Sequence, residues 1–332
     1  MKLNEIENKS AYGFVGRLSR EFPSQVMLDI TEVCNLACIH CAHPKFKESN
    51  LYAKSMLDPD LNTKMVKEVS KHGKNITKYI RYTSNGEPLV HPKSYEMINY
   101  AVDNSDTKVT LTTNGTLLNE KKMLKLLNSG LHMIDISIDA TTPETYSKVR
   151  VNGDFNKTKA NVLSLINLIH KSTFKTKLVV SFVEQKINLK ESNEFKEYWT
   201  TQGVEEVVIR KLHTNSGSNF NENIYNKNKM IERRPCLYPW ERVVLTAKGK
   251  LNYCPTDWFS LANICDYNET TIKDVWHSNF YKELRSKHLC NKYSDNDFCK
   301  SCPDWSNTSW PHDKEKSYAD LVEKILYTDP QT

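Results

Sequence analysis

The chain has 332 residues, of which 39% are hydrophobic, so it is long enough for two domains or for one large domain with an appendage. Lys and Arg number 46 against 40 Asp and Glu, and this scattered net charge of +6 is not the footprint of a nucleic-acid-binding protein. No run approaches the ~18 apolar residues of a membrane span, and the N-terminus lacks the apolar core of a signal peptide. We therefore expect a cytoplasmic protein without nucleic-acid or membrane partners.

Beyond a polar lead-in at 1–25, apolar strand-like runs alternate with amphipathic helical segments. Strands are predicted at 26–30, 79–83, 109–113, 133–138, 178–183 and 207–210, and helices near 62–72, 94–104, 119–129, 156–171 and 189–202. Such alternation is typical of βαβ units on a parallel sheet. Six units are too few for an eight-fold barrel, so we expect an α/β fold, a partial (β/α)6 TIM barrel over 26–211.

The cysteines fall into two groups, three within 34–41 and six within 236–302. Disulfides are rare in a cytoplasmic protein, so this grouping favours two separate metal or cluster sites. The first group is a C-x-x-x-C-x-x-C motif, Cys34, Cys38 and Cys41, directly after the first predicted strand. Three thiolates can hold three irons of a 4Fe–4S cluster and leave the fourth iron open, whereas an electron-carrying cluster normally has four cysteines. A zinc loop completed by His40 or His43 is the alternative.

Polar side chains also follow the other predicted strands. They are Asn85, Gly86 and Glu87, then Asn114, then Ser137 and Asp139, and finally Gln185. Each signal is weak alone, because an Asn-Gly pair such as 114–115 is often only a turn. In parallel β/α proteins, however, the carboxyl ends of the strands meet at one mouth. Amide, hydroxyl and carboxylate groups gathered there fit a zwitterionic, ribose-bearing cofactor.

The cysteine motif together with Asn85-Gly86-Glu87-Pro88, in place of the usual Gly-Gly-Glu-Pro, resembles the radical S-adenosylmethionine (SAM) superfamily over roughly residues 24–211. The resemblance implies that the open iron chelates the amino and carboxylate groups of SAM. One electron from the cluster then generates a 5′-deoxyadenosyl radical, which takes a hydrogen atom from the substrate. It also implies an external one-electron reductant such as flavodoxin or ferredoxin.

The same resemblance assigns residues to roles. Cys34, Cys38 and Cys41 match the cluster ligands. Among the implied SAM contacts, His40 would lie beside the adenine, and the amino group would be bound by Asn85, Gly86 and Glu87. The ribose or carboxylate would be bound by Ser137, Asp139 and Arg150, and two further contacts elsewhere in the mouth would be Asn114 and Gln185. Asn85 departs from the glycine that the family usually has at this position.

Residues 212–235 are polar and rich in asparagine, which predicts a linker. The segment 236–332 then begins with Cys236 and an apparent hairpin, 242–246 and 251–253, followed by Cys254 and by the C-x-x-C of Cys299 and Cys302. From spacing alone, zinc fits four such thiolates as well as an iron–sulfur cluster does.

This C-terminal segment resembles the SPASM/twitch extension of radical SAM enzymes. No further cysteine follows Cys302, as in the shortened twitch version, which implies one auxiliary 4Fe–4S cluster on Cys236, Cys254, Cys299 and Cys302. Cys265 and Cys290 are read as small hydrophobic residues, with hydrogen-atom donation or cluster ligation as the alternative.

A four-cysteine cluster leaves no iron open to substrate, so we expect it to accept an electron from a substrate radical. This favours dehydrogenation of a small molecule, a sugar or aminocyclitol-type alcohol, with Arg210, His213 or Asp257 as the base. The alternative is oxidation, epimerisation or crosslinking of a peptide or protein side chain. The short lead-in, without room for a leader-binding domain, favours the small molecule. An iron–sulfur electron carrier or a zinc protein is the non-enzyme alternative.

Overall fold

The computed structural model describes residues 12–83, 85–216, 233–293 and 296–328. The strands are β1 (Gln25–Leu28), β2 (Tyr79–Tyr82), β3 (Lys108–Thr113), β4 (Met133–Ser137), β5 (Lys177–Glu184), β6 (Glu206–Lys211), β7 (Arg242–Leu245), β8 (Lys250–Asn252) and β9 (Asn263–Asp266). The helices are α1 (His43–Glu48), α2 (Pro59–His72), α3 (Ser94–Asn104), α4 (Glu120–Asn128), α5 (Pro143–Val149), α6 (Phe155–Lys171), α7 (Ser192–Thr201), α8 (Tyr238–Glu241), α9 (Ile272–His277), α10 (Asn279–Cys290), α11 (Asp297–Ser301) and α12 (Tyr318–Tyr327).

The nine strands found in the described residues belong to one open sheet in the order β6-β5-β4-β3-β2-β1-β7-β8-β9. Strands β1 to β6 are parallel to their neighbours, as the alternation of strands and helices predicts. The fold class expected from the sequence, a partial parallel barrel with a C-terminal extension, is confirmed. Helix α5 was not predicted; it begins at Pro143 behind the Thr142 side chain, which caps the backbone N–H of Thr145.

The two faces of the sheet differ in polarity because side chains alternate along each strand. Apolar residues such as Val26, Ile80 and Ile134 pack against the surrounding helices in the main core. The other face carries Arg81 on β2, paired in register with Thr110 on β3, and further polar groups on β4 to β6. This inner face is where a polar ligand can be held.

The hairpin of the C-terminal segment continues the sheet of the barrel. Strand β7 pairs in parallel with β1, with Gln25 opposite Arg242 and Leu28 opposite Leu245. Strands β8 and β9 then add on in antiparallel fashion. The hairpin was predicted, but its pairing with β1 was not, so the two cysteine-bearing parts share one sheet.

The C-terminal helix α12 packs on the inner face. Its Val322 and Ile325 form a buried cluster with Tyr79, Met133 and Val179 of the strands. Ser317 and Asp320 form a capping box that fixes the start of this helix. Along the described parts of the chain, no helix is both long and apolar enough to cross a bilayer.

Part of the predicted linker, 217–232, lies outside the described residues, as do 1–11 of the lead-in, residue 84 and 329–332. The described ends of the linker are held to the C-terminal segment. The backbone N–H groups of Thr214 and Ser216 each donate to the Asp304 carboxylate at 2.8 Å, and Arg234 pairs with Asp313 at 2.7 Å.

Candidate active site

The three-cysteine loop follows the end of β1 and is hydrogen-bonded to the segment at the end of α5. The N–H groups of Ala37 and Ile39 donate to the carbonyls of Val151 and Val149 at 2.9 and 3.1 Å. Within the loop, the N–H of Leu36 points at the Cys34 sulfur at 3.5 Å. Backbone N–H groups aimed at a sulfur stabilise a thiolate, as a cluster ligand requires.

Burial disfavours the charged thiolate form of a cysteine when no cation is nearby. It raises the pKa of the Cys34 thiol to about 12 and raises the pKa of Cys38, which the Arg150 guanidinium opposes. Coordinated thiols are deprotonated outright by the charge of their metal. The donor set of this loop therefore suits a resident iron–sulfur cluster and is poorly suited to free reactive thiols.

The two histidines proposed as fourth zinc ligands have other partners. His43 donates from Nε2 to the Glu32 carbonyl at 2.9 Å. Nδ1 of His40 accepts from the Gln185 amide at 3.2 Å, and Nε2 of His40 lies 3.6 Å from Asp139. Burial lowers the pKa of His40 to about 4, so its ring is neutral at physiological pH. Both imidazoles are engaged in holding the site together.

Gly86 follows β2 at a point where the chain passes very close to the segment after β1. A Cβ atom placed on Gly86 would lie 2.2 Å from the Thr31 carbonyl oxygen and 2.7 Å from that of Val33. Only glycine fits this approach. Asn85, in the position of the family's glycine, donates its backbone N–H to Asp29 at 3.2 Å and its side-chain amide to the Asp257 carbonyl at 3.2 Å.

Glu87 is buried and fully hydrogen-bonded. Its Oε1 accepts from the Thr113 hydroxyl at 2.6 Å, and its Oε2 accepts from the Asn114 N–H at 2.8 Å. Burial raises the pKa of Glu87, and these bonds oppose the rise. Glu87 thereby joins the ends of β2 and β3. Asn114 in turn donates to the Asn35 side chain at 3.0 Å, which connects β3 to the cysteine loop.

Asp139 and Arg150 form an ion pair beside the cysteine loop. Arg150 Nη2 lies 2.6 Å from Asp139 Oδ2, and the second oxygen accepts the Val183 N–H at 2.7 Å. Asp139 adopts the left-handed backbone conformation, with φ of 64°. Ser137, also a predicted SAM contact, stands at the end of β4 opposite Ser181 in the register. The Oε1 atom of Gln185, which holds His40 through its side-chain amide, is buried without a partner in the described chain.

The second cysteine group surrounds a cavity of its own. Cys236, Cys254, Cys299 and Cys302 all line it. The hydroxyl of Thr256 lies 3.2 Å from the Cys254 sulfur, and the Cys299 thiol donates to the Tyr253 hydroxyl at 3.8 Å. In the described chain, no three Cys, His, Asp or Glu side chains are arranged to hold a single metal ion. Four thiols spread around a cavity fit a cluster of several irons.

The two remaining cysteines lie elsewhere. Cys290 is exposed at the end of α10, and Cys265 is partly buried on β9, where burial raises its pKa. Neither is among the described residues that line the four-cysteine cavity.

A larger cavity of about 760 Å³ lies between the two cysteine sites. His40 lines it on the side of the three-cysteine loop, and Leu237 and Tyr238 line it next to Cys236. Tyr238 also lines the four-cysteine cavity. Tyr238 therefore borders both the large cavity and the four-cysteine cavity.

The three predicted bases differ in availability. Arg210 donates to Asp135 and Ser181, and the Asp135 carboxylate raises the pKa of its guanidinium against burial, so it stays protonated. The Asp257 carboxylate accepts the N–H groups of Phe259 and Ala262 at 3.0 and 2.8 Å and organises its own loop.

His213 is the third candidate, and its ring lines the large cavity. Its Nδ1 is buried and has no partner in the described chain. Burial lowers the pKa of His213, so the ring is neutral and can accept a proton.

Two features of the site were missed from the sequence. Asn35 was not singled out, although it joins Asn114 and donates to Thr116 at 2.8 Å. Asp135 has no predicted role, yet it pairs with Arg210, 75 residues away. The signal available was a charged residue in a run with Ile134 and Ile136, which marks an inward-facing position that needs a partner.

Comparisons with known proteins agree with this geometry. Residues 28–186 match the family model described as the radical SAM superfamily, and residues 236–303 match the SPASM model, described as an iron–sulfur cluster-binding domain. The chain is similar to an AdoMet-dependent heme synthase of Methanosarcina barkeri, 32% identical over 141 residues. That match covers 42% of this chain and 38% of the relative, so the chain spans well under two thirds of that protein.

Two similarities extend over most of the chain. A cofactor-modifying protein for the tungsten-containing aldehyde ferredoxin oxidoreductase of Pyrococcus furiosus is 24% identical over 304 residues, 91% of this chain and 81% of the relative. The crystal structure of BtrN in complex with AdoMet and 2-DOIA superposes with a TM-score of 0.59 at 15% identity, over 84% of this chain and 92% of that one. At this identity the likeness concerns the fold. The chain therefore contains a radical SAM domain at 28–186, followed by a SPASM iron–sulfur cluster-binding domain at 236–303.

Proposed function

We propose that this protein is a radical SAM oxidoreductase that dehydrogenates a small alcohol of the sugar or cyclitol type. The observation that carries the proposal is the large cavity, which borders His40 of the three-cysteine loop at one side and Tyr238 beside Cys236 at the other. When bound, the first cluster and SAM supply a radical that removes a hydrogen atom, and the auxiliary cluster supplies an electron acceptor.

We assign Cys34, Cys38 and Cys41 to the first cluster, and Cys236, Cys254, Cys299 and Cys302 to the second. Arg150 and Asp139 hold the loop side of the SAM site as an ion pair, and His40 and Gln185 form its wall. Glu87 fixes the backbone at Asn114 and so shapes the mouth. A low-potential one-electron protein such as flavodoxin or ferredoxin would supply the reducing electron.

For the chain's own part in the reaction, we propose His213 as the base. Loss of a hydrogen atom from an alcohol carbon must be followed by loss of the hydroxyl proton if a carbonyl is to form. His213 is neutral, and its ring lines the cavity. The Arg210 guanidinium stays charged, and the Asp257 carboxylate accepts a backbone N–H of its own loop, so both are weaker candidates for the base.

The alternative is modification of a peptide or protein side chain. A product assay separates the two functions. The reconstituted and reduced enzyme is incubated with SAM and an alcohol deuterated at its carbinol carbon. Dehydrogenation transfers the deuterium into 5′-deoxyadenosine and forms one carbonyl product per cleaved SAM, whereas epimerisation moves deuterium without forming a carbonyl.

His213→Gln is the matched variant, and His277→Gln, at an exposed histidine that contacts the Glu21 carbonyl, is its control. We expect His213→Gln to lower carbonyl formation by ~100-fold and the control to retain it. If 5′-deoxyadenosine forms only with peptides, or no alcohol yields a carbonyl, the dehydrogenase proposal is wrong.

A further inference from the structure

Two arginines on the inner face of the sheet share one carboxylate. Asp135 on β4 is fully buried, accepts from Arg210 and Ser181, and accepts the Tyr318 hydroxyl at 2.5 Å. Arg81 Nη2 lies 3.6 Å from the same oxygen. We call these residues, Arg81, Asp135, Ser181, Arg210 and Tyr318, the Asp135 cluster.

The Asp135 cluster has a surplus of positive charge. The guanidiniums of Arg210 and Arg81 hold the pKa of Asp135 below its ordinary value, so the carboxylate stays ionised. The phenol of Tyr318, whose pKa burial raises to about 12, is neutral. Two guanidinium cations and one carboxylate anion leave a net charge of +1 in a largely buried environment. Such a buried charge is costly in free energy unless an anion pairs with it.

The other carboxylates near the cavity have partners of their own. Asp139, which also acts on the Arg210 guanidinium, pairs with Arg150 at 2.6 Å, and Asp304 accepts the backbone N–H groups of Thr214 and Ser216. Asp313 pairs with Arg234 at 2.7 Å, and Glu315, 80% exposed at the rim, pairs with Lys211 at 3.3 Å. Glu241 forms ion pairs with both Arg17 and Arg242. Lys314 and Lys316 at the rim add more positive charge.

Arg210 is placed to meet a ligand. Its side chain is 23% exposed, and both Arg210 and Arg81 line the large cavity. Both of its hydrogen bonds within the described chain are made by Nη2, so the guanidinium has donor capacity to spare. His213, the proposed base, follows three residues later and lines the same cavity.

We infer that the substrate carries an anionic group, a carboxylate or a phosphate, which binds at Arg210 and Arg81 and brings the reacting alcohol to His213. This inference rests on the proposed function, and it narrows the substrate to an acidic or phosphorylated sugar or cyclitol. An amine-bearing cyclitol is disfavoured, because its ammonium would face two guanidiniums across one carboxylate.

The first test compares matched ligands on the wild-type holoenzyme in the presence of SAM. The probes are myo-inositol against myo-inositol 1-phosphate, and glucose against glucose 6-phosphate and gluconate. Binding is followed by calorimetry and turnover by 5′-deoxyadenosine formation. We expect the charged members to bind about ten- to a hundredfold more tightly than the neutral ones. The phosphate and carboxylate arms identify which anion the site prefers.

The second test uses variants. Arg210→Gln should abolish the preference for charged ligands, and Arg210→Lys should restore part of it, because lysine keeps the charge but not the planar donor fork. Lys250→Gln is the control, because Lys250 pairs with Asp266 at 2.8 Å on β8, toward the opposite edge of the sheet from β6, and this variant should keep the preference within about twofold. Iron content and circular dichroism show whether each variant folds. If Arg210→Gln does not fold, the comparison of charged and neutral ligands on the wild-type enzyme still tests the anion site.

The outcomes separate this inference from the proposed function. Tight binding of charged alcohols without a carbonyl product would support the anion site and contradict the dehydrogenase. Carbonyl formation from neutral alcohols, with no preference for charged ones, would support the dehydrogenase and overturn the anion site. An Arg210→Gln enzyme that folds and keeps the wild-type preference would also overturn it.

Discussion

The Tyr318 hydroxyl donates to the Asp135 carboxylate at 2.5 Å, although the two residues are 183 positions apart in the sequence. The Tyr318 ring also lies under two guanidiniums, with its centroid 3.9 Å from Arg210 and 4.5 Å from Arg81. The first residue of α12 is thus fixed to the middle of the inner face of the sheet.

Replacing Tyr318 should therefore loosen this attachment. Tyr318→Phe removes a hydrogen bond to a charged group and should lower the free energy of unfolding by about 1.5–3 kcal/mol. Tyr318→Ala also removes the ring and the cation–π contacts, so its loss should be larger. The control is Tyr327→Phe at the exposed end of the same helix, where the hydroxyl donates to the Lys78 carbonyl at 2.8 Å. Thermal denaturation of the three variants would contradict this account if Tyr318→Phe and Tyr327→Phe lost equal stability.

Iron analysis tests the two cluster assignments separately. Cys38→Ala should reduce the iron content from about eight to about four atoms per chain and abolish 5′-deoxyadenosine formation. Cys254→Ala should remove a similar amount of iron but leave the first cluster and its electron paramagnetic resonance signal in place. Cys265→Ala and Cys290→Ala are the controls, and unchanged iron in both would remove the idea that either ligates a cluster.

The neighbouring residues Asn85 and Gly86 should respond in opposite ways to substitution. Gly86→Ala places a Cβ 2.2 Å from the Thr31 carbonyl oxygen, so the backbone must shift, and we expect a loss of about 1–3 kcal/mol and weaker SAM binding. Asn85→Gly restores the residue common in the family and should retain SAM binding, at the cost of the bond to the Asp257 carbonyl. Calorimetry on the two variants measures SAM affinity and shows whether their effects differ. Equal effects of the two changes would contradict the proposed close approach at Gly86.

Stability should fall on acidification. Burial, aided by Lys108, lowers the pKa of His132 to about 4 in the folded chain, against ~6.5 in the unfolded chain. Between these values the unfolded chain binds more protons, so the free energy of unfolding decreases as pH falls from about 6.5 to about 4. His132→Phe should flatten this slope while lowering stability at neutral pH, because Nδ1 accepts the Val109 N–H at 3.1 Å. Urea denaturation curves measured between pH 4 and 8 provide the check. Parallel pH profiles of variant and wild type in the acidic range would contradict the assignment.

The local elements could be predicted from sequence because each depends on nearby residues. The six barrel strands begin and end within two residues of their predicted bounds, since side-chain alternation and flanking turns define them. The pairing of β7 with β1 could not be predicted, because alternation shows which residues share a face but not which strand lies beside which.

The residues of the candidate site were also only partly predictable from the sequence. The cysteine motif and Gly86 were found because short spacings carry their chemistry. The contacts of Asp257 could not be found, because its partners are backbone N–H groups of a loop whose path the sequence does not specify. Arg81 and Arg210 were unlinked in the sequence, and only the closed arrangement of the strands brings both to Asp135.

The parallel pairing of β7 with β1 also has a consequence for how the chain is made. Ser24, just before β1, donates to the Glu241 carbonyl just before β7, across 217 positions of sequence. During synthesis from the N-terminus, β1 therefore keeps one edge without its partner until β7 has left the ribosome. An uncovered strand edge is a site for pairing with other chains, so the nascent protein is most exposed to aggregation before its C-terminal third has been made. Truncated products ending before β7 should accumulate in inclusion bodies, whereas the full-length chain covers this edge by itself.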